Sequence, residues 1–568
     1  MARTSIAVVF AGSGGAGAMT AGAVFLRAAA QAGYYGLMAQ LFGAQVRGGE
    51  SAALVQISTE PVDSPPDRYD LFVALDWEKV DQFAAEIPLD STSIVLSDPE
   101  AGAVPPAIVR SKPRCVPLAL SGEKGEGAER RANMVAVGAV AALAGVDLVQ
   151  VSAAIDAVYA SKDAALNAAN KNSAEIGAGL AAALTVNLRL APATAAPRWL
   201  ISGNQAAALG ALRGGVRFVG CYPITPATDL VEWLSPRLKQ LGGRLVLGED
   251  ELASINMALG ASFGGVPAMT VTSGPGLSLM TESIGLAVAA EIPLLLIDVM
   301  RAGPSTGIAS KTEQSDLNLA IYGAHGDAPR VVLAPISVAD CLTATEYAVY
   351  VAEQLQTPVI VLSDQALGQA ATVIDLPEKR PAAHKRRTNG AGTSQQPFKR
   401  YALAGDAITP MPAPGTPGMA WVAEGLTHNE VGLPASGAGP HVAQINKRAK
   451  KLDRFDAGQY WGESWGTGET ALLAFGSSVG PARQAARRLA ANGHHIRVIA
   501  LRILSPLPME ALAHALVGVR RLVVLEQNHG AQLYRHLIGH KAIPATAESV
   551  ARPGPLPFRP SEIGSYVM

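Results

Sequence analysis

The stretch VGCYPITPATDL, residues 219–230, decides how the rest of this sequence is interpreted. Apolar residues before the turn predict a short buried strand that ends at Tyr222, and the apolar spacing after Pro226 predicts a helix. Because proline is favoured at the first position of a helix, Thr225 is predicted to be the N-cap. Pro223 restricts the residue before it to extended geometry and stiffens the turn. A stiff helix N-terminus also suits an anion, but these residues alone favour an ordinary structural cap.

The composition is typical of an α/β protein with several domains. Of 568 residues, 49% are hydrophobic, 16% are charged and 58 are glycine, and this length suits roughly three or four domains. The 46 basic and 47 acidic residues nearly balance, which excludes a general attraction to nucleic acid or to an anionic membrane. Three widely spaced cysteines without a CxxC pair predict neither disulfides nor an iron–sulfur or zinc site in this chain. We therefore expect a cytoplasmic protein.

The apolar segments predict neither a secretion signal nor a membrane span. The apolar run at the N-terminus is too short for a signal peptide and has the wrong flanking residues. The longest uncharged apolar segment, residues 132–146, is too short to cross a bilayer. We predict that it forms a buried helix of a soluble core.

The chain divides into four segments of different character. Three have the alternation of apolar strands and helices that predicts doubly wound parallel sheets, whereas the fourth is a connector rich in proline and glycine. The connector carries seven basic residues between Lys379 and Arg400; they could contact an acidic partner, but a solvated loop is the commoner explanation. The predicted boundaries are 1–190 and 196–375 for the first two α/β domains, 376–465 for the connector and 466–568 for the third α/β domain.

A glycine-rich loop follows the first predicted strand. Gly12, Gly14 and Gly17 formally satisfy the GxGxxG pattern of dinucleotide sites. Such a site also requires an acidic residue about 20 positions further on, to hold the ribose hydroxyls. The first acidic residue after the loop is Glu50, itself in a predicted loop, so we predict that the chain does not bind NAD. The favoured interpretation is a tight turn that packs on a neighbouring subunit or contacts another phosphate.

Two further loops of the second α/β segment follow strands, where open sheets place their ligands. Glu249, Asp250 and Glu251 precede an amphipathic helix. They either complement the helix dipole or supply a carboxylate partly buried at an interface, with its proton affinity raised by desolvation. The other loop, VTSGPGLSLMTESI, is a glycine–proline turn into a helix. Its small residues allow a ligand or a partner chain to approach the backbone closely.

A third loop begins with an arginine directly after the apolar strand PLLLIDVM. Burial of Arg301 is costly unless an anion meets it, so this residue is a candidate bidentate clamp for a carboxylate. An internal salt bridge to Asp298 or Glu291 explains it equally well. One carboxylate, one anion clamp and no nucleophile in the same segment suggest that an organic cofactor carries the chemistry.

The order of these motifs resembles the α subunit of the 2-oxoacid:ferredoxin oxidoreductases, in the form with a γ domain fused at its N-terminus, and the 2-oxoglutarate enzymes most of all. YPITP is followed in order by EDELASINMALGAS, TSGPG, RAGPSTG, KTEQSDL and YGAHGD, with GTPG in the connector and VLEQN near the end. The N-terminal GSGGAG and RGG elements resemble those of the γ domain, with Ala16 where glutamine is usual. The resemblance covers nearly the whole chain and implies a γ-type domain, a thiamine diphosphate pyrimidine-binding domain and a transketolase C-terminal-like domain.

The resemblance implies a thiamine diphosphate enzyme that oxidatively decarboxylates a 2-oxoacid with coenzyme A and passes two electrons to ferredoxin. Glu251 matches the glutamate that bonds N1′ of the aminopyrimidine, a contact that promotes loss of the reactive C2 proton of the cofactor. Thr225 matches the threonine near the reacting carbon, and Arg301 matches the arginine that binds the C1 carboxylate of the substrate. The two prolines then hold Thr225 rigid beside the cofactor. The residues of this segment implied to contact the cofactor are Tyr222, Pro223, Ile224 and Thr225.

Some parts of such an enzyme are missing from the sequence. The chain has no GDG-type segment followed by an asparagine for Mg²⁺ and diphosphate, and its cysteines are not spaced for a cluster. The resemblance implies that a separate β subunit supplies the Mg²⁺ site and the [4Fe-4S] cluster, in an (αβ)2 heterotetramer. We therefore expect no metal site in this chain and no activity from this chain alone.

The substrate and the activity leave alternatives open. GPSTG and KTEQSD favour 2-oxoglutarate or branched-chain 2-oxoacids over pyruvate. A dicarboxylate needs a second cation, which Lys311, His325 or the β subunit could supply, although Lys311 is equally well explained as an ordinary surface residue. A non-catalytic scaffold is the alternative from another class, and retention of the three site residues counts against it. A free-standing NAD-dependent dehydrogenase fails because the ribose-binding acid is missing.

Overall fold

The computed structural model describes residues 3–43, 49–121, 130–378, 386–388, 397–403 and 405–568. The chain forms two compact units. The first unit consists of Met1–Ser202, Gln369–Glu378 and Arg559–Glu562, and the second of Gly203–Gly368, Lys379–Phe558 and Ile563–Met568.

The first unit is built on an eight-stranded mixed sheet. Its strand order is β6-β5-β4-β1-β3-β2-β14-β7, in which β6, β5, β4 and β1 are parallel and every later pair is antiparallel. The elements are β1 (Ser5–Ser13), α1 (Ala18–Gln31), β2 (Tyr35–Phe42), β3 (Glu50–Ser58), β4 (Leu71–Ala74), α2 (Val80–Phe83), β5 (Ile94–Ser97), α3 (Pro106–Val109), β6 (Arg114–Pro117), α4 (Ala132–Ala144), α5 (Leu148–Val158), α6 (Ala164–Ala182), β7 (Arg198–Ser202) and β14 (Ala371–Asp375).

This sheet differs from the sequence-based expectations in the direction of one strand and in the segments that contribute strands to it. The apolar run LVQIS lies in β3, which pairs antiparallel with both β1 and β2. The chain between β2 and β3 is too short for the crossover connection of a dozen or more residues that parallel neighbours require. Glu50 begins this strand and does not lie in a loop. The strands β7 and β14 lie near the two ends of the segment predicted as 196–375, yet both belong to the sheet of the first unit.

The apolar segment predicted to form a buried helix does so. The helix α4 is buried on nearly every side and crosses α6 at small residues. A Cβ added to Gly138 would lie 1.8 Å from the carbonyl oxygen of Ala174, and one added to Gly177 would lie 2.0 Å from that of Val135. The two helix backbones therefore touch where neither carries a side chain. Among the described residues, no helix combines the length and apolarity needed to cross a membrane.

The second unit contains a seven-stranded sheet and a five-stranded sheet. Their strand orders are β18-β12-β13-β11-β10-β8-β9 and β15-β17-β16-β19-β20. Its elements up to the connector are α7 (Gly203–Gly214), β8 (Phe218–Cys221), α8 (Thr228–Gln240), β9 (Arg244–Leu247), α9 (Glu251–Phe263), β10 (Ala268–Thr272), α10 (Gly274–Ala289), β11 (Leu294–Met300), α11 (Leu317–Tyr322), β12 (Val331–Leu333), α12 (Val338–Leu355), β13 (Pro358–Asp364) and α13 (Gln365–Gln369). The later elements are α14 (Ala438–Asp453), β15 (Gly462–Trp465), β16 (Thr470–Ala474), α15 (Val479–Ala491), β17 (Ile496–Leu501), β18 (Ile503–Ser505), α16 (Met509–Ala515), β19 (Arg521–Glu526), α17 (Gln532–Gly539) and β20 (Glu548–Ala551). The last helix, α18 (Pro560–Val567), begins in the first unit and ends in the second.

Both sheets of the second unit have the doubly wound character expected from the sequence. All pairs from β9 to β12 along the seven-stranded sheet are parallel, and β18 adds an antiparallel edge strand. The strands β16, β17 and β19 are parallel, as predicted. In the larger sheet, β8 has β9 on one side and β10 on the other, so the chain changes direction across the sheet at β8. In open α/β sheets, ligands bind at the carboxyl ends of the strands beside such a switch.

The basic run of the connector is tied down by acidic side chains of the same unit. Arg386 forms a buried, bidentate pair with Glu353, with N···O distances of 2.8 and 2.9 Å. Arg400 is fully buried, and its Nη2 donates to the backbone oxygen of Glu291. The expectation of a solvated loop is wrong for these two arginines, because each neutralises a carboxylate inside the fold. At the surface, Arg387 pairs with Asp406 and Lys399 pairs with Glu430. The other basic residues of the run, Lys379, Arg380 and Lys385, lie outside the described residues.

A buried charge cluster consists of Glu291, Arg400, Lys447 and Lys451, all at most 3% exposed. Lys447 Nζ donates to Glu291 Oε1 at 2.5 Å, and Lys451 pairs with Oε2. Burial would raise the pKa of Glu291, but the surrounding cations lower it strongly. Burial lowers the pKa of both lysines, that of Lys451 to about 7. The cluster thus holds three basic groups around one carboxylate and fastens α14 to the sheet domain.

Candidate functional site

The turn after β8 places Thr225 at the carboxyl edge of the seven-stranded sheet. The residue is not an N-cap: α8 begins at Thr228, and Ala227 occupies the cap position without a side-chain hydrogen bond. The backbone amides of Ala227 and Thr228 both donate to the carbonyl of Ile224, at 2.8 and 3.0 Å. The prediction of an N-cap at Thr225 is therefore wrong. The turn at Ile224 lies before α8, but its apolar residues continue the spacing of the helix and so looked like part of it. Thr225 is exposed, and no described residue hydrogen-bonds to its hydroxyl.

Tyr222, Pro223 and Ile224 of the YPITP segment lie at the same edge, whereas Pro226 is buried. Tyr222 is 41% exposed and Pro223 is exposed, whereas Ile224 is half-buried. A tyrosine and a proline left uncovered after a buried strand form a surface that a ligand or another chain can cover.

Arg301 follows β11 directly and reaches the same turn. Its side chain is 7% exposed, and Nη1 donates to the backbone oxygen of Thr225 at 2.6 Å. Nε is buried and has no hydrogen-bond partner among the described residues. Burial lowers the pKa of Arg301, while the charges of Asp316 and Asp298 oppose that shift. An ion pair with Glu291 is excluded, because that carboxylate belongs to the buried charge cluster.

Glu251 begins α9, which follows β9, and the strands β8 and β10 lie between β9 and the strand β11 that leads to Arg301. Asp250 is the true cap of this helix, since its side chain accepts from the amide of Ala253 at 2.7 Å. Glu251 is 7% exposed, and no described residue hydrogen-bonds to its carboxylate. Of the three acids at this helix start, one therefore caps the helix, while Glu251 is buried and Glu249 is exposed.

The glycines of TSGPG make room for two of the carboxylates. A Cβ at Gly276 would lie 2.7 Å from Glu251 Cγ and 2.9 Å from its Oε1. A Cβ at Gly274 would lie 2.7 Å from Asp316 Oδ2. The start of α10 therefore fits closely against both acids, and only glycine at these positions leaves their carboxylates in place.

Two acidic side chains at this edge were not singled out as site residues from the sequence. Asp298 is the only acid in the strand β11 and is completely buried, and Asp316 precedes α11. Burial raises the pKa of both groups, and their mutual interaction contributes to the rise for Asp298. A lone acid within the apolar string LLLIDVM was the available signal, but it was considered only as a salt-bridge partner for Arg301.

The two candidates for a second substrate cation differ in exposure. Lys311 is 9% exposed, so its interpretation as an ordinary surface residue is wrong. It lies in the loop after β11, where its carbonyl accepts from the amide of Ala302 at 2.9 Å. His325 is exposed. Lys311 is thus held in the loop that follows Arg301, whereas His325 faces solvent.

The glycine loop of the first unit is held by an acid. The amide and hydroxyl of Ser13 donate to Asp76, at 3.0 and 2.8 Å. Gly17 has φ of 89°, which opens α1 in a conformation that glycine adopts easily. The RGG element falls partly on residues 44–48, which lie outside the described residues. Ser13 and Asp76 thus fix the shape of the part of the loop that can be described.

No group of histidine, cysteine and acidic side chains suited to a metal ion occurs among the described residues. Cys221 and Cys341 are buried and Cys115 is exposed, and all three are free thiols. Burial raises the pKa of Cys221 to about 11, which makes it a poor ligand and nucleophile.

Comparisons with known proteins agree with the order of motifs along the chain. Residues 209–447 match the thiamine diphosphate-binding model of pyruvate flavodoxin/ferredoxin oxidoreductases, residues 7–180 match the pyruvate ferredoxin/flavodoxin oxidoreductase model, and residues 465–532 match the transketolase C-terminal domain. The 2-oxoglutarate oxidoreductase subunit KorA of Mycobacterium tuberculosis is 32% identical over 99% of this chain and 91% of its own length. The 2-oxoglutarate synthase subunit KorA of Methanothermobacter marburgensis is 33% identical over 65% of this chain and 98% of its own.

A solved structure covers the whole chain. The 2-oxoglutarate:ferredoxin oxidoreductase from Magnetococcus marinus, with 2-oxoglutarate, coenzyme A and succinyl-CoA bound, superimposes with a TM-score of 0.91. Its sequence is 33% identical, and the match covers 100% of this chain and 99% of that one. With a near full-length relative and a near full-length structure in agreement, the chain belongs to the α subunits of the 2-oxoacid:ferredoxin oxidoreductases, in the form that carries a fused N-terminal γ domain.

Proposed function

We propose that this chain is the catalytic α subunit of a thiamine diphosphate-dependent 2-oxoglutarate:ferredoxin oxidoreductase. One 2-oxoglutarate and one coenzyme A give succinyl-CoA, CO2 and a proton, and two electrons pass to ferredoxin. When bound, thiamine diphosphate supplies the carbanion chemistry that breaks the bond between C1 and C2 of the 2-oxoacid. The names of relatives along the full chain support 2-oxoglutarate as the substrate.

The observation that carries the proposal is the free carboxylate of Glu251. It is nine-tenths buried, it lies beside the switch in strand order, and no described residue hydrogen-bonds to it. An acidic side chain that is largely buried, and whose carboxylate no described residue hydrogen-bonds, fits a ligand that brings a hydrogen-bonding nitrogen. The aminopyrimidine N1′ of thiamine diphosphate is such a group, and we assign Glu251 to hold it.

Arg301 and Thr225 then act on the substrate. The free Nε of Arg301 lies at the same edge of the sheet, where it is suited to receive the C1 carboxylate. The hydroxyl of Thr225 is free to contact the reacting carbonyl, and Arg301 fixes the turn by its bond to the Thr225 carbonyl. We assign Tyr222, Pro223 and Ile224 to the contact surface for the cofactor, because the first two are exposed and the third is half-buried in the same turn.

The distal carboxylate of 2-oxoglutarate requires a further cation. Lys311 is our candidate in this chain, because it is fixed in the loop that follows Arg301. A branched-chain 2-oxoacid has no second carboxylate and would not use this lysine.

The remaining parts of the enzyme belong, in this proposal, to a β subunit. It would hold Mg²⁺ and the diphosphate of the cofactor, carry the [4Fe-4S] cluster and deliver electrons to ferredoxin. We expect an (αβ)2 assembly in the cytoplasm, without nucleic-acid or membrane partners.

The test is an assay of the assembled complex. The chain is co-expressed with the β subunit encoded beside it, and coenzyme A-dependent reduction of a low-potential dye is compared for 2-oxoglutarate, pyruvate and 2-oxoisovalerate. Loss of the acid-base contact in Glu251→Gln should lower kcat by about 10²–10⁴-fold. The matched control is Glu249→Gln, an exposed acid two residues away, which should retain the wild-type rate.

The outcomes separate the alternatives. Preference for 2-oxoglutarate with loss of activity only in Glu251→Gln supports the proposal. Preference for 2-oxoisovalerate keeps the mechanism and replaces the substrate. An assembled complex that has bound its cofactor but turns over none of the three acids is the result expected of a scaffold.

A further inference from the structure

Asp298 and Asp316 form a pair of carboxyl groups behind Arg301. Both oxygens of Asp298 and Oδ2 of Asp316 are buried, and no described group donates a hydrogen bond to any of the three. The two side chains interact directly with each other. Two ionised carboxylates in such contact, without donors, would repel each other strongly.

The surroundings distinguish the two groups. Asp298 lies within β11 and has no exposed surface. Asp316 is partly accessible, and its Oδ2 lies close to the backbone at Gly274, the first residue of α10. A helix N-terminus stabilises negative charge. The negative charge is therefore favoured on Asp316 and the proton on Asp298.

The protonation state of the pair sets the net charge of the group formed by Asp298, Asp316 and Arg301. With one shared proton, the pair and the guanidinium sum to zero, and the free Nε of Arg301 can receive an anion. With both carboxyls ionised, the same three groups sum to −1, and an incoming carboxylate is repelled. The charged groups that act on the pair are Arg301 and Glu313, and Glu313 adds to the repulsion.

We propose that Asp298 and Asp316 share one proton and that this proton keeps Arg301 available for the substrate carboxylate, which makes Asp298 a positioning residue for the anion clamp. The role of Arg301 rests on the proposed function, whereas the shared proton does not. Burial raises the pKa of both acids, which is consistent with a pair that keeps its proton at neutral pH.

The first experiment observes the proton directly. Infrared difference spectra of the assembled αβ complex, wild type against Asp298→Asn, should show the carbonyl band of a protonated carboxyl group that is absent from the variant. Asparagine has the same shape and donates a hydrogen bond to Asp316 without a charge. Spectra of Glu249→Gln serve as the control, since that acid is exposed and should contribute no such band. Absence of the band from the wild type at neutral pH would overturn the proposal.

The second experiment measures binding of glutarate, a dicarboxylate without the reactive carbonyl, by calorimetry. From neutral pH to about pH 9, wild-type Kd should rise by about tenfold, the change that one pKa unit of coupling produces. Asp298→Asn should keep the Kd of the wild type at neutral pH and lose this pH dependence. An equal slope in the variant and the wild type would contradict the proposal.

The results also separate this inference from the proposed function. If the wild type shows the carboxyl band but neither binds glutarate nor turns over 2-oxoglutarate, the pair holds its proton and the assigned substrate is wrong. If turnover is as proposed and the band is missing, the substrate stands and the shared proton is refuted.

Discussion

Replacement of Lys451 by methionine tests the charge balance of the buried charge cluster. Burial chiefly, together with the charges of Lys447 and Arg400, lowers the pKa of Lys451 from 10.5 to about 7, despite the attraction of Glu291. At 1.36 kcal/mol per pKa unit, the charged lysine is less favourable in the folded protein than in the unfolded chain by about 5 kcal/mol. Methionine keeps the apolar stem but loses a hydrogen bond to the Gln356 carbonyl, worth about 1 kcal/mol. We expect Lys451→Met to be more stable than the wild type at neutral pH by about 1–4 kcal/mol.

The pH dependence of this difference has a definite sign. Between about pH 7 and the ordinary lysine pKa, the unfolded chain holds a proton on Lys451 that the folded protein has released. Wild-type stability therefore rises with pH in this range, by about 1.4 kcal/mol per pH unit from this group. The variant lacks this contribution, so its advantage should shrink by about 2–3 kcal/mol from pH 7 to pH 9. Glu291→Gln should do the opposite and cost about 3–5 kcal/mol, because it leaves buried cations without a carboxylate.

The measurement is hydrogen exchange of the peptide that contains α14, followed by mass spectrometry in the native state. Local opening energies are suited to this chain because two compact units need not unfold in one step. Lys450→Met is the matched control on the same helix, outside the cluster, and should change stability by at most about 0.5 kcal/mol. If Lys451→Met weakens protection of α14 at neutral pH as much as Glu291→Gln does, the assigned charge balance is incorrect.

Two glycine substitutions test close contacts. Gly276→Ala should displace the carboxylate of Glu251 and lower kcat by roughly 10²-fold, measured in the dye assay, whereas Gly285→Ala in the same helix meets open space and should retain activity; equal rates for the two would refute the contact. Gly138→Ala should force α4 away from α6 and cost about 1–3 kcal/mol, whereas Gly179→Ala in α6 has room and should gain about 0.5–1 kcal/mol. Thermal unfolding of these two variants measures the change in stability. A Gly138→Ala variant as stable as the wild type would contradict the close contact of α4 with α6.

The sequence predicted the fold class and the location of the site because both depend on local patterns. Apolar strands and helices alternate regularly in the second unit, and parallel strands bring the loops after them to one edge. Glu251, Arg301 and Thr225 could therefore be assigned to one edge before the structure was known. Their catalytic roles remain predictions until the variants are measured.

The errors arose where tertiary contacts override local patterns. Thr225 resembled a cap because the turn at Ile224 continues the apolar spacing of α8. Arg386 and Arg400 resembled solvated residues because their carboxylates, Glu353 and Glu291, lie far away in sequence. The partnership of Asp298 with Asp316 was missed for the same reason, since nothing in either local sequence identifies the other acid.

The burial of Lys447 and Lys451 affects how this protein is handled at the bench. Amine-reactive dyes, cross-linkers and acetylating reagents need an accessible nitrogen, and these two side chains offer almost no surface. Labelling of α14 should therefore report Lys450 alone and undercount the lysines of the helix. A crystallographer who replaced the lysine-rich tract at 447–451 to reduce surface entropy would instead be altering the interior of the protein.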